Sequence, residues 1–150
     1  MSLFPLSRKV SALIFALVLG ASFLQGKNRL YQVDPKRSFL GFEVSPLGFI
    51  RVPGFYHDYS GEVDWEDGAL VPTRIDLMIQ VASIDTKLKW RDEVLRGHEF
   101  FDVAHTPQVR FVSRAVKALR GDLMEVTGDL TIRKITLPLT FKLTSSKIPT

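Results

Sequence analysis

Cysteine is absent from the 150 residues. That excludes disulfides, thiolate metal sites, cysteine nucleophiles and lipid attachment through a cysteine. It does not exclude an oxidising compartment, because a domain of this size stands without cross-links. No Gly-x-Ser-x-Gly elbow and no glycine-rich phosphate loop occurs. Charge of one sign is scarce too: beyond residue 26 the chain carries 18 basic and 16 acidic residues, scattered, with no basic stripe. Nucleic acid is therefore not an expected partner. Repeats, low-complexity stretches and linkers are missing, which leaves one domain. The longest apolar run, VSALIFALVLGASFL at 10–24, is short for a membrane span. Behind the basic stretch MSLFPLSRK and ahead of small residues Gly20, Ala21 and Ser22, it reads as an export signal over residues 1–26, cleaved after about Ser22. The alternative is an uncleaved N-terminal anchor. Either way the domain, residues 27–150, is expected outside the cytoplasm, in the periplasm.

What is present is an alternation of period two, the mark of half-buried strands. SFLGFEV sets Leu40, Phe42 and Val44 on one face. GFYHDYSGEVDW sets Phe55, Tyr59, Val63 and Trp65 against Asp58, Ser60, Glu62 and Asp64. TRIDLMIQVAS sets Ile75, Leu77, Ile79 and Val81 against Arg74, Asp76 and Gln80. QVRFVSRAV sets Val109, Phe111, Ser113 and Ala115 against Arg110 and Arg114. LMEVTGDLTI and ITLPLTFKLT continue the pattern with Met124, Val126, Gly128, Leu130 and Ile132, then Leu137, Leu139, Phe141 and Leu143. With a short strand at Leu30–Val33, seven strands are expected. Turn signals between them sit at Asp34-Pro35, PLG 46–48, VPG 52–54, EDG 66–68 and RGD 120–122. A meander with one apolar face must close on itself or pack on a second sheet.

One segment breaks the period. DTKLKWRDEVLRG reads as a short helix with Asp85 or Thr86 as its cap and Gly97 as its stop. Trp90 and Val94 share one face, and Asp92 and Arg96 are spaced for an i,i+4 ion pair. HEFFD at 98–102 follows, one residue away from the H-E-x-x-H metal motif, with His105 beyond it. Asp102 stands where the second histidine belongs, and Gly97 ends the helix that the motif needs. A metal-dependent hydrolase built on His57, His98 and His105 is the weakest reading, and no metal or other cofactor is expected. His57-Asp58 lies on a strand whose alternation separates the two side chains. The carboxylates on the polar faces read as a solvated surface. The apolar face fits either a filled core or a lined cavity, since small closed barrels do both.

YQVDPKRSFLGFEV resembles the opening of the YceI-like family. GFYHDYSGEV is similar to its Gly-x-Phe-x-x-Phe-x-Gly strand. ASIDTKLKWRDEVLRGHEFFDVAHTPQVRFVS resembles its Ser-Ile-Asp-Thr turn, Arg-Asp helix and Phe-Phe-Asp corner, and VTGDLTIRKITLPLTFKL its last hairpin. The resemblance implies an all-β, antiparallel lipocalin-like barrel with one short helix in a long connection. It implies a non-enzymatic, exported protein that holds a long-chain isoprenoid or similar amphiphilic lipid. Lumen-facing positions would be Leu40, Phe42, Val44, Ile75, Leu77, Ile79, Val81, Val109, Phe111, Val126, Leu130, Leu139 and Phe141. His98 would be incidental, and Phe100 and Phe101 would plug a corner. A protein-interaction module with a filled core is the alternative.

Three departures stand out. SPLGF replaces a segment that holds His in many relatives, and Arg133-Lys134 occupies a hairpin where relatives have Gly. Relatives also continue past TFKL, so the barrel is expected to lack its last strand. An edge near 134–144 would then be open, favouring a homodimer. Transient membrane contact would accompany a lipid carrier.

Overall fold

The computed structural model describes residues 14–17, 19–21, 28–45 and 50–145. The PLG turn and most of the signal segment lie outside them. Eleven strands form one sheet: β1 (Ile14–Leu17), β2 (Leu19–Ala21), β3 (Asn28–Val33), β4 (Phe39–Val44), β5 (Val52–Tyr56), β6 (Tyr59–Glu66), β7 (Arg74–Gln80), β8 (Ile84–Asp85), β9 (Gln108–Ala118), β10 (Leu123–Ile132) and β11 (Ile135–Ser145). The single α-helix among the described residues, α1, spans Lys89–Arg96. The ladder order is β2-β3-β6-β7-β9-β10-β11-β1-β4-β5-β8, so among the described residues hydrogen bonding does not close the ring. The architecture is the antiparallel, barrel-type one. Every pairing is antiparallel except that of β1 with β11.

Chain corners draw the ends of this sheet together. GFYHDYSGEVDW is two strands rather than one. It breaks at His57-Asp58, and TRIDLMIQVAS breaks at a 3₁₀ turn, Val81–Ser83. The two breaks face each other. Gln80 N–H donates to Asp58 O at 2.9 Å, and His57 N–H to Ser83 Oγ at 3.2 Å. β6 and β7 pair on one side of this corner, β5 and β8 on the other. Alternation cannot reveal such a corner, because both halves keep their own period. The break changes the face of Phe55. Tyr56, opposite Leu40, turns to the core, while Phe55, opposite Gly41, stacks outside on Phe39 at 5.1 Å. VPG 52–54 is likewise strand and not turn: Gly54 opposes Phe42, whose ring occupies the space a Cβ would need.

A second irregularity is a bulge in β9. Register shifts between Thr127 and Gly128, so Gly128 opposes Ser113 while Thr127 opposes Ala115, and Arg114 is the extra residue. Beyond it the inward residue is Val116, opposite Val126, and Ala115 is exposed. Ser113 Oγ accepts the Ile75 N–H at 2.8 Å, where β9 leaves β7. Bulges bend a strand and increase its twist, as barrel closure requires.

Val33, Leu40, Tyr59, Val63, Ile75, Leu77, Ile79, Val81, Val109, Phe111, Met124, Val126, Leu139, Phe141 and Leu143 form the buried cluster. Phe111 and Phe141 meet edge to face at 5.0 Å and 68°. Among the described residues no buried side-chain polar atom lacks a partner.

The β10–β11 hairpin turns on two residues, Arg133 and Lys134, with φ of 48° and 67°. Both angles positive is the type I′ geometry that suits strand twist and favours glycine. Lys134, exposed, carries the cost of a Cβ in the left-handed region. Lys134→Gly is expected to raise stability by about 1 kcal/mol, read as a higher urea midpoint at unchanged slope.

Candidate functional site

The helix between β8 and β9 is held by polar bonds. Neither Asp85 nor Thr86 caps it; the N-cap is Leu88, without a side-chain bond. Thr86 instead donates from its N–H and hydroxyl to Asp92 Oδ1, at 2.8 and 2.6 Å. Arg91 reaches the Thr86 hydroxyl and carbonyl, and Arg96 reaches the carbonyls of Ala82 and Ile84 at 2.9 and 2.8 Å. Asp92 and Arg96 thus serve the adjoining segment and not each other. Gly97 ends the helix with φ −67°. Phe101 then packs on the core while Phe100 stays exposed, so only one of the pair is a plug.

The histidines are not assembled. His105 Nδ1 lies 2.9 Å from Asp102 Oδ1, His57 Nε2 lies 2.9 Å from Asp85 Oδ2, and His98 is exposed. His57 sits at the corner between β5 and β6, not within a strand as its alternation suggests. Its hydrogen bond, with that of Lys87, holds the Asp85 carboxyl well below the usual carboxylate range. Among the described residues no group of three His, Asp or Glu is disposed around a metal. His98→Ala is expected to change stability by no more than about 0.5 kcal/mol, and elemental analysis of parent and variant checks whether any zinc depends on that side chain.

The apolar inner face is the remaining site. Of the thirteen positions assigned to it, Leu40, Ile75, Leu77, Ile79, Val81, Val109, Phe111, Val126, Leu139 and Phe141 are buried together. Phe42, Val44 and Leu130 are half-buried, Leu130 packed against the cluster and Phe42 against Tyr56 at 5.3 Å. β6 adds Tyr59 and Val63, whose alternation marks them as inward. A recess of about 70 Å³ lies among Ser38, Phe39, Leu40, Phe55, Tyr56 and Tyr59, beside the His57 corner. Its polar groups are few. Ser38 Oγ bonds the Asp34 carbonyl at 2.6 Å and lies 3.1 Å from the Tyr59 hydroxyl. Burial pushes the phenols of Tyr56 and Tyr59 upward. Leu40 and Tyr59 stand on the apolar face that alternation marks, whereas Tyr56 is turned to the core by the corner, and a corner leaves no periodic trace.

Such an arrangement, an antiparallel sheet with an apolar inner face, is that of a lipocalin-like β protein. Residues 31–148 match the YceI-like domain family, and the chain belongs to it. A UPF0312 protein of Pseudomonas putida is 31% identical over 134 residues, covering 86% of this chain and 70% of the relative. One from Photorhabdus laumondii is 31% identical over 124 residues, covering 83% and 64%. Among solved structures, Burkholderia cenocepacia BcnA superposes with a TM-score of 0.63 at 27% identity, covering 77% of this chain and 72% of that one. A Campylobacter jejuni YceI protein superposes with a TM-score of 0.56 at 25% identity, and the chain spans 59% of its length.

Proposed function

We propose that this protein holds a long-chain isoprenoid or similar amphiphilic lipid against its apolar inner face, as a carrier or sequestering protein and not as an enzyme. The family it belongs to binds isoprenoid-like lipids. The observation that carries the reading here is the inner face itself. It is apolar over seven strands, β3, β4, β6, β7, β9, β10 and β11, and the Ser38 and Tyr59 hydroxyls lie beside the recess. An isoprenoid chain gains about 25 cal/mol per Å² of apolar surface buried, so affinity needs no specific polar contact. A long chain exceeds a 70 Å³ recess, so loading requires the inner face to part. That tight packing equally favours a second reading, an interaction module with a filled core.

Native mass spectrometry of protein purified without detergent, with solvent extraction of the same sample, separates the two. A co-purifying lipid that rebinds the delipidated protein supports the carrier. Absence of any lipid, together with no uptake of a polyisoprenoid, leaves the filled module.

Export is part of the proposal. Residues 14–17 and 19–21 pair as β1 and β2 in the chain that retains them, β1 lying between β11 and β4. Cleavage near Ser22 would withdraw both and free those edges for a second copy. N-terminal sequencing of a periplasmic fraction should begin between Ser22 and Lys27; an intact Met1 in soluble cytosol overturns export.

A further inference from the structure

Helix α1 is amphipathic in the reverse of the usual sense. A surface helix normally buries its apolar stripe and shows its charges to water. Here Asp92 is the one buried residue of the helix, and Arg91 and Arg96 face the protein. Trp90 is 64% exposed, Val94 48% and Leu88 43%. The patch extends past the helix. Lys87 Nζ lies 5.2 Å over the Phe55 ring, Phe55 stacks on Phe39, and Phe39 is itself 44% exposed at the mouth of the recess.

We infer that this face, Leu88, Trp90 and Val94 flanked by Lys87 and Lys89, docks the protein on an anionic lipid bilayer. Three features favour a membrane over a protein groove. Tryptophan prefers the headgroup boundary, where its ring is buried and its N–H stays wet. The acids nearest the patch are mostly engaged within the protein: Asp85 by His57 and Lys87, Asp92 by Thr86. Lys87, exposed and shared with Asp85, and Lys89, exposed beside a single exposed helix acid, Glu93, put two ammonium groups at the rim of the patch, and lysines there draw it to anionic headgroups. Lys87, next to Leu88 in the chain, lies over Phe55, which stacks on Phe39 at the recess, so docking would bring the mouth of the lipid site near the bilayer that supplies the lipid. That last feature rests on the lipid-binding reading; the first two do not.

The test uses the full chain with vesicles of phosphatidylcholine, with or without phosphatidylglycerol. Cosedimentation with the anionic vesicles is expected, weakening as salt rises. Leu88→Glu/Trp90→Glu is expected to lower the partition coefficient about ten-fold or more, since burying one aromatic is worth at least that factor. Lys87→Gln/Lys89→Gln is expected to remove the preference for phosphatidylglycerol. Both variants keep the bonds of Thr86, Arg91, Asp92 and Arg96 that hold the helix, and Lys87→Gln gives up only an exposed pair with Asp85, so circular dichroism and cooperative unfolding should match the parent. Any insertion by residues 1–26 is common to all chains compared. Parent protein left in the supernatant, or equal partition of Leu88→Glu/Trp90→Glu, overturns the inference. So does a variant that loses self-association but not vesicle binding, which assigns the face to a second copy. Solvent extraction of each sample reads the inner site separately. Loss of vesicle binding with lipid still bound supports docking, and failure to find lipid leaves the vesicle result standing.

Discussion

Gly128→Ala is expected to cost about 3 kcal/mol or more, beyond the usual range for an added methyl in a core. Gly128 lies in the middle of β10, opposite the β9 bulge. A Cβ there would press on the carbonyl oxygen of Val112, on the Phe111 ring and, at 2.7 Å, on the Ser113 Cα. Two of these neighbours are backbone, fixed by ladders to β7 and β10, and cannot rotate away. Relief therefore needs the bulge to open, which takes the Ser113–Ile75 bond with it. A domain of this size has about 5–15 kcal/mol in all, so the variant should unfold at far lower urea or accumulate as insoluble chain. A midpoint within error of the parent would show that β9 is free to shift at Arg114.

Phe111→Ala is expected to cost about 3–5 kcal/mol, the range for deleting a fully buried aromatic. Phe111 is 2% exposed and lies between Leu77 of β7 and Leu130 of β10, its ring edge to face with Phe141. Neighbours on two ladders cannot all move into the vacated volume. The measurement is urea unfolding of delipidated protein. The same variant carries information about function. A lipid chain entering the inner face would occupy the space left by the ring, so saturating lipid should restore part of the lost stability by mass action. A filled module gains nothing from lipid, and the deficit stays whole.

The alternation made the two faces legible. Ile75, Leu77 and Ile79 lie in one unbroken strand, and burial follows their period without exception. The same holds for Met124 and Val126 in β10, and for Leu139, Phe141 and Leu143 in β11. The helix and its stop at Gly97 were also local matters, decided by spacing within a few residues. Ten of the thirteen inner positions follow from nothing more.

Where two segments had to meet, spacing was silent. QVRFVSRAV alternates through Arg114 as though straight, yet β10 must step past one residue there, and that puts Val116 inside and Ala115 outside. The corner at His57-Asp58 exists because Asp58 O and Ser83 Oγ find partners across the two breaks, and it turns Phe55 outward. Arg96 looked like a partner for Asp92 because four residues separate them, but carbonyls of the 82–84 segment compete for it and win. The pairing of Ile14–Leu17 with β11 and β4 depends on edges more than twenty residues away. Period two is a property of each strand alone and so is written in the chain. Register, corners and the choice among competing hydrogen-bond partners depend on which backbone edges come together, and only the folded sheet decides that.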